Sequence, residues 1–198
     1  MIIISNPQFI PNEIAVINAL FEAGLEVLHL RKPEADIAEM EDFISRIDNR
    51  FHSRLMIHSH YELLDSFNLR GIHFTEKTKE LQDSFAHATC IKSMAVHDLP
   101  DLDKVKPFID YVFLSPLFPS VSKEGYSKQW DFEEMKSELA IKRNFKIIAL
   151  GGITLGNVKT VNQLGFDDYA LLGSIWEPVK SGCPTNQIVS IFKSYNQQ

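Results

Sequence analysis

Three short stretches of this 198-residue chain hold donors spaced to grip an anion. The first, Ser115-Pro116-Leu117-Phe118-Pro119-Ser120-Val121-Ser122-Lys123-Glu124-Gly125, brings Ser120, Ser122 and Lys123 together between a proline pair and a glycine. Hydroxyls and an ammonium donate hydrogen bonds to anionic oxygens without needing a metal. The second, Leu150-Gly151-Gly152-Ile153-Thr154, lets backbone N–H groups approach an anion closely. The third, Leu172-Gly173-Ser174-Ile175, sets a glycine and a hydroxyl before a short helical segment. A polar surface loop or a tight turn would explain each stretch alone. Together they point to a phosphate site.

A further cation and several imidazoles stand apart from these loops. In His29-Leu30-Arg31-Lys32-Pro33, the period of two in a strand puts His29 and Arg31 on one side. An always-charged Arg31 there would be a second anion contact, unless Glu26 or Glu34 pairs with it. His58 and His60 form a His-x-His pair, the type that ligates metals. No acidic residue adjoins His58 and His60 reads as the start of a helix, so the pair is read as metal-free. His73 reads as a barrel histidine with its hydrogen bonds made, and His97 follows a strand.

These residues need a scaffold, and the spacing of apolar residues supplies one. The β-rich runs are Ile2–Ser5, Glu26–Leu30, Leu55–His58, Gly71–Phe74, Thr89–Met94, Tyr111–Ser115, Lys146–Leu150 and Tyr169–Leu172. They are continuous rather than alternating, as expected of strands buried on both faces of a parallel sheet. Between them lie helical periods. Pro11–Ala23 ends at Gly24, and Asp36 caps a helix carrying Met40, Phe43 and Ile44. Thr154 is read as the cap of a helix ended by Gly165, Asn186–Tyr195 as the last helix, and Glu76–Phe85 as the weakest helical stretch. Eight strand–helix units of about 25 residues each match a small (β/α)8 TIM barrel, one domain over residues 1–198. An open doubly wound sheet competes, but it usually has fewer strands. In a TIM barrel the active site forms at the C-terminal ends of the strands, where the stretches above fall.

Composition excludes several classes. Hydrophobic residues make up 44% and charged residues 23%, which suits a folded globular chain rather than a disordered one. A net charge of −6 argues against nucleic acid as a partner. Cys90 and Cys183 are too far apart for a zinc motif and too few for a disulfide framework, which suits a reducing cytoplasm. The N-terminus lacks the basic and long apolar stretches of a signal peptide, and no run is long enough for a membrane helix. The expectation is a cytoplasmic protein with a small phosphorylated substrate and neither nucleic acid nor membrane as a partner.

Taken with their order, the strand ends resemble those of the thiamine phosphate synthases and their paralogues, the aminothiazole tautomerases. Residues Asp110 to Lys123 are similar to that family's DY-x3-GP-hydrophobic-FPT-x-TK loop. Ala149 to Ile153 is similar to its AIGGI, and Gly165 to Ile175 to its GA-x-G-hydrophobic-AV-hydrophobic-SAI. Gly71-Ile72-His73 matches GVH, His97 matches the histidine of S-x-H, and Leu30-Arg31 matches part of Q-x-R-x-K. The resemblance implies a transferase of thiamine biosynthesis. It would join hydroxymethylpyrimidine diphosphate to thiazole phosphate and release pyrophosphate. Alternatives are a metal-independent thiazole phosphate tautomerase and a non-catalytic binder of thiazole or thiamine phosphate.

Carried over residue by residue, the resemblance makes Arg31 and Lys123 catalytic. It assigns substrate binding to His29, Lys32, His58, His73, His97, Ser120, Ser122, Gly152, Gly173 and Ser174. It also implies Mg2+, which the family holds with carboxylates. Here those positions read His58-Ser59 and Thr78 or a neighbour, so no metal ligand is assigned. His29 replaces the family's glutamine, and Pro33 replaces its lysine, with Lys32 adjacent. The tautomerase branch places a histidine where this chain has Pro116. Barrels of this kind are often dimers, so a homodimer is an open expectation.

Overall fold

The computed structural model describes residues 1–119 and 129–197. Its strands are β1 (Ile2–Ile4), β2 (Val27–Leu30), β3 (Leu55–Ile57), β4 (Gly71–Phe74), β5 (Ile91–Val96), β6 (Tyr111–Leu114), β7 (Lys146–Leu150) and β8 (Asp168–Leu171). They follow one another in sequence order around a closed barrel, and the registered pairs are parallel. This is the (β/α)8 barrel expected from the sequence, not the open sheet. The helices are α1 (Glu13–Glu22), α2 (Ile37–Ser45), α3 (Leu63–Ser66), α4 (Phe132–Leu139), α5 (Val158–Leu164), α6 (Gly173–Lys180) and α7 (Thr185–Tyr195). None is long and apolar enough to cross a membrane.

By its internal contacts the chain divides into two compact units, residues 1–73 with 172–197, and residues 74–171. In the first unit α1 buries Val16, Ile17, Leu20 and Phe21, a helical stripe that packs on α7 with its buried Ile188, Phe192 and Tyr195. Gly24 follows α1 at φ 103°, where a side chain would be strained. Asp36 caps α2 through a reciprocal pair: Glu39 N–H donates to Asp36 and Asp36 N–H to Glu39, both at 2.9 Å. Trp176 is fully buried and its Nε1–H donates to the carbonyl of Ile4 at 2.7 Å, tying α6 to β1.

In the second unit β6 sits between β5 and β7, with Val112, Phe113, Leu114, Ile148 and Ala149 buried. Asp131 caps α4 by accepting from Glu133 and Glu134 N–H. Gly165 closes α5 at φ 93°, as its spacing predicts.

Four local expectations are corrected. The helix read from Thr154 starts at Val158, because the Asn157 side chain accepts from Thr154 N–H and donates to Gly152 O, which holds Gly152 to Asn157 as a turn. Residues Lys79–Phe85 wind as a 3-10 helix rather than an α-helix. The fifth strand runs two residues later than its apolar run, because pairing with β6 extends from Ser93 to Val96. His60 is not helical: its φ is 54°, the left-handed region.

Candidate functional site

Register brings three histidines of the first unit together. His29 pairs with Met56 across β2 and β3, and Met56 pairs with Gly71 across β3 and β4. Partners in a parallel ladder share a face, and so do residues two apart on one strand. His29, His58 and His73 therefore point to one side. Their ligand-capable nitrogens all lie within 4.8 Å of one another. His29 Nδ1 and His58 Nε2 are 2.9 Å apart and share a hydrogen bond. The rings of His58 and His73 stack at 4.1 Å, while His29 meets both edge-on at 5.2 and 5.5 Å.

All three are buried, with exposures of 0, 6 and 4%. Burial disfavours the charged imidazolium, so each basicity falls. For His73 the pKa drops to about 3, first by desolvation and then through the Arg31 charge. His29 and His58 fall well below the usual value, again by desolvation first. Their further causes are His73 and Arg70 for His29, and His73, His29 and Arg31 for His58. At neutral pH the cluster consists of three uncharged imidazoles.

The neighbouring sequence-selected residues divide. Arg31, at the end of β2, makes no ion pair with Glu26, Glu34 or any other described residue, while its backbone N–H donates to Ser5 Oγ at 2.9 Å. Lys32 is sequestered. Its Nζ donates to Glu13 at 2.6 and 2.7 Å and to the carbonyls of Asn6 and Gln8 at 2.9 Å. Phe9 and Phe43 cover the ammonium, and 1% of each charged side chain is exposed. Nothing in the residue types signals this partnership beforehand, since Glu13 and Lys32 lie 19 residues apart. The His58-x-His60 pair does not converge, because the His60 ring bonds the carbonyl of Ala35 at 2.9 Å. A groove of about 960 Å³ between α1 and α2, lined by Phe9, Ile14, Asp36, Asp42 and Arg46 among others, contains none of the three clustered histidines.

In the second unit the glycine pair seats the chain that follows β6. Leu117 N–H donates to Leu150 O at 2.9 Å and Phe118 N–H to Gly151 O at 3.1 Å. A Cβ on Gly152 would stand 2.5 Å from Pro119 O and 2.8 Å from Phe118, and its φ is 63°. Gly152→Ala should therefore cost roughly 1–3 kcal/mol of stability, the usual range for forced overpacking, read as a lowered urea midpoint. An unchanged midpoint would mean that residues 118–119 move aside freely. Trp130 Nε1–H donates to Pro116 O at 2.7 Å, and the His97 ring lies 2.8 Å from Ser115 O. Ser120, Ser122 and Lys123 lie outside the described residues. Gly173 and Ser174 open α6, in the first unit.

Residue type alone singles out each of the three histidines, whereas their convergence depends on strand register. The usable signal was present: each stands on or just after one of three consecutive strands, at positions that in-register pairing places on a single face.

Comparison with known proteins agrees with the fold. The family model described as thiamine monophosphate synthase matches residues 1–175. The thiamine-phosphate synthase of Klebsiella pneumoniae is 24% identical over 188 residues, covering 91% of this chain and 88% of that protein. A solved thiamine phosphate pyrophosphorylase from Bacteroides thetaiotaomicron is 30% identical with a TM-score of 0.83, covering 100% of this chain and 95% of that one. One from Pyrococcus furiosus, 16% identical with a TM-score of 0.73 over 96% of this chain and 95% of that one, shares the fold.

Proposed function

Because the chain belongs to the thiamine monophosphate synthase family, we propose that it is a thiamine-phosphate synthase-like transferase of thiamine biosynthesis. The observation that carries this reading is the match to that family over residues 1–175, on a barrel that a 30% identical pyrophosphorylase follows along its whole length. The substrates are small and phosphorylated: hydroxymethylpyrimidine diphosphate and thiazole phosphate. In the transfer, the bond between the pyrimidine methylene and the diphosphate oxygen breaks, and pyrophosphate leaves with the electron pair. The thiazole nitrogen then forms the new C–N bond.

This chain's own residues divide the work. Arg31, a permanent cation without an ion pair to a described residue, follows β2 and would meet charge developing on the leaving diphosphate. Lys123 with Ser120 and Ser122 would hold the thiazole phosphate. The backbone of Gly152 would add an N–H donor, and the start of α6 at Gly173 and Ser174 is a separate donor-bearing stretch of the first unit. Holding both partners in line is itself a large part of such catalysis.

Magnesium, implied by the family, does not fit the donor set. Among the described residues the single cluster of potential ligands is three neutral imidazoles, without a carboxylate. Mg2+ favours hard, charged oxygens. No step is assigned to it. The tautomerase reading draws little from the same cluster, because a base whose pKa has fallen to about 3 is a poor proton acceptor near neutrality.

Pyrophosphate release from the two substrates, followed with Mg2+ and again with EDTA, tests the proposal. Release is expected. Failure to release pyrophosphate while thiazole phosphate still binds would sink the transferase and leave a binding protein.

A further inference from the structure

We propose that His29, His58 and His73 form a binding site for a late first-row divalent cation, Zn2+ foremost, with one coordination position open. The inference stands on their geometry and donor chemistry and does not depend on the transfer reaction.

Three imidazoles on or just after three consecutive strands present nitrogens within 4.8 Å of one another. A tetrahedral zinc with bonds of about 2.0–2.1 Å needs nitrogens roughly 3.3 Å apart. The 2.9 Å pair must open by a few tenths of an ångström, and the widest pair must close by about 1.5 Å. The stacked rings of His58 and His73 must also turn about their outer bonds, so that both in-plane lone pairs face the ion. Apolar packing gives no reason for imidazole at these positions. Aliphatic side chains of similar volume would fill the space, whereas buried imidazoles need hydrogen-bond partners, which no buried ring nitrogen lacks. Neutral imidazole is the form that binds metal, and it suits Zn2+, Cu2+ or Ni2+ and not Mg2+.

Three nitrogens from the described residues leave a fourth position for another ligand, the arrangement of catalytic rather than structural zinc. Arg31 acts electrostatically on His58 and His73. A dication beside it calls for an anionic fourth ligand, a hydroxide or a phosphate oxygen. On binding, the proton shared by His29 Nδ1 and His58 Nε2 moves to another ring nitrogen, so both can donate lone pairs.

The test uses full-length protein stripped with EDTA and titrated with Co2+ as a spectroscopic probe, then with Zn2+ in competition. One equivalent of Co2+ should bind with the visible absorption of a four-coordinate ion. Zn2+ should displace it, and excess Mg2+ should not. In protein with labelled histidine, the paramagnetic ion should broaden the ring signals of His29, His58 and His73, which requires no variant. His29→Gln, His58→Asn and His73→Gln, checked for folding by circular dichroism, should each weaken binding by more than the roughly 10–100-fold that losing an outer-shell partner costs. Lack of stoichiometric uptake, broadening confined to His52, His60, His87 or His97, or full affinity in folded variants would overturn the site. Pyrophosphate release is read separately, so either result leaves the other interpretable.

Discussion

Replacing Lys32 with methionine should lower the free energy of unfolding by roughly 3–5 kcal/mol, the usual cost of leaving one partner of a buried ion pair alone. The Glu13 carboxylate would remain with 1% of its side chain exposed and would lose both contacts to the ammonium. Burial already pushes the Glu13 carboxyl up and the Lys32 ammonium down, and their pairing opposes both shifts. Pairing Lys32→Met with Glu13→Leu should recover most of the loss, since well-packed apolar replacements of a buried pair are often neutral. Recovery should stop short of complete, because the carbonyls of Asn6 and Gln8 also lose their donor. Urea unfolding of the four proteins in a double-mutant cycle measures this. A single Lys32→Met that unfolds at the wild-type midpoint, with substrate affinity reduced instead, would return Lys32 to the binding role its sequence position suggested.

Lowering the pH of metal-free protein from 7.5 to 5.5 should remove about 4 kcal/mol of stability through His29, His58 and His73. The sign follows from their lowered basicity. An unfolded chain takes up protons on these rings near their ordinary value of about 6.5. The folded protein refuses them until far lower, for His73 until about 3. The contribution is complete above pH 6.5 and lost as pH falls from there toward the folded values, at about 1.4 kcal/mol per ring per pH unit. Glu13 works the other way. Its raised carboxyl accepts a proton earlier in the folded state and moderates the loss. Urea midpoints at the two pH values read the effect, and His73→Gln should flatten the dependence by about a third. Equal midpoints at both pH values would show that the rings are charged or hydrated in the folded protein.

Much of the fold was legible because barrel strands are buried on both faces and leave continuous apolar runs. Seven of the eight runs coincide with their strands to within about one residue at each end, and the fifth is displaced by two. Helix ends were legible where the side chain itself caps, as at Asp36, or where a left-handed glycine stops the turn, as at Gly24 and Gly165. Thr154 misled because a hydroxyl there looks like a cap, whereas Asn157 three residues on holds the turn with its amide. Of the site, residue types were legible and partnerships were not. Lys32 looked like a cation offered to a phosphate until Glu13 was seen against it. The three histidines looked like separate residues because their contact depends on strand register, which local periodicity does not encode.

All three clustered histidines come from the stretch between His29 and His73, within the first unit, whereas Gly151, Gly152 and the chain after β6 belong to the second. The imidazole cluster and the anchoring glycines are therefore written in separate blocks of sequence. Substitutions can accumulate in one block without rewriting the other. A lineage could change the donors in the first block while the turn that seats the chain after β6 stays as it is.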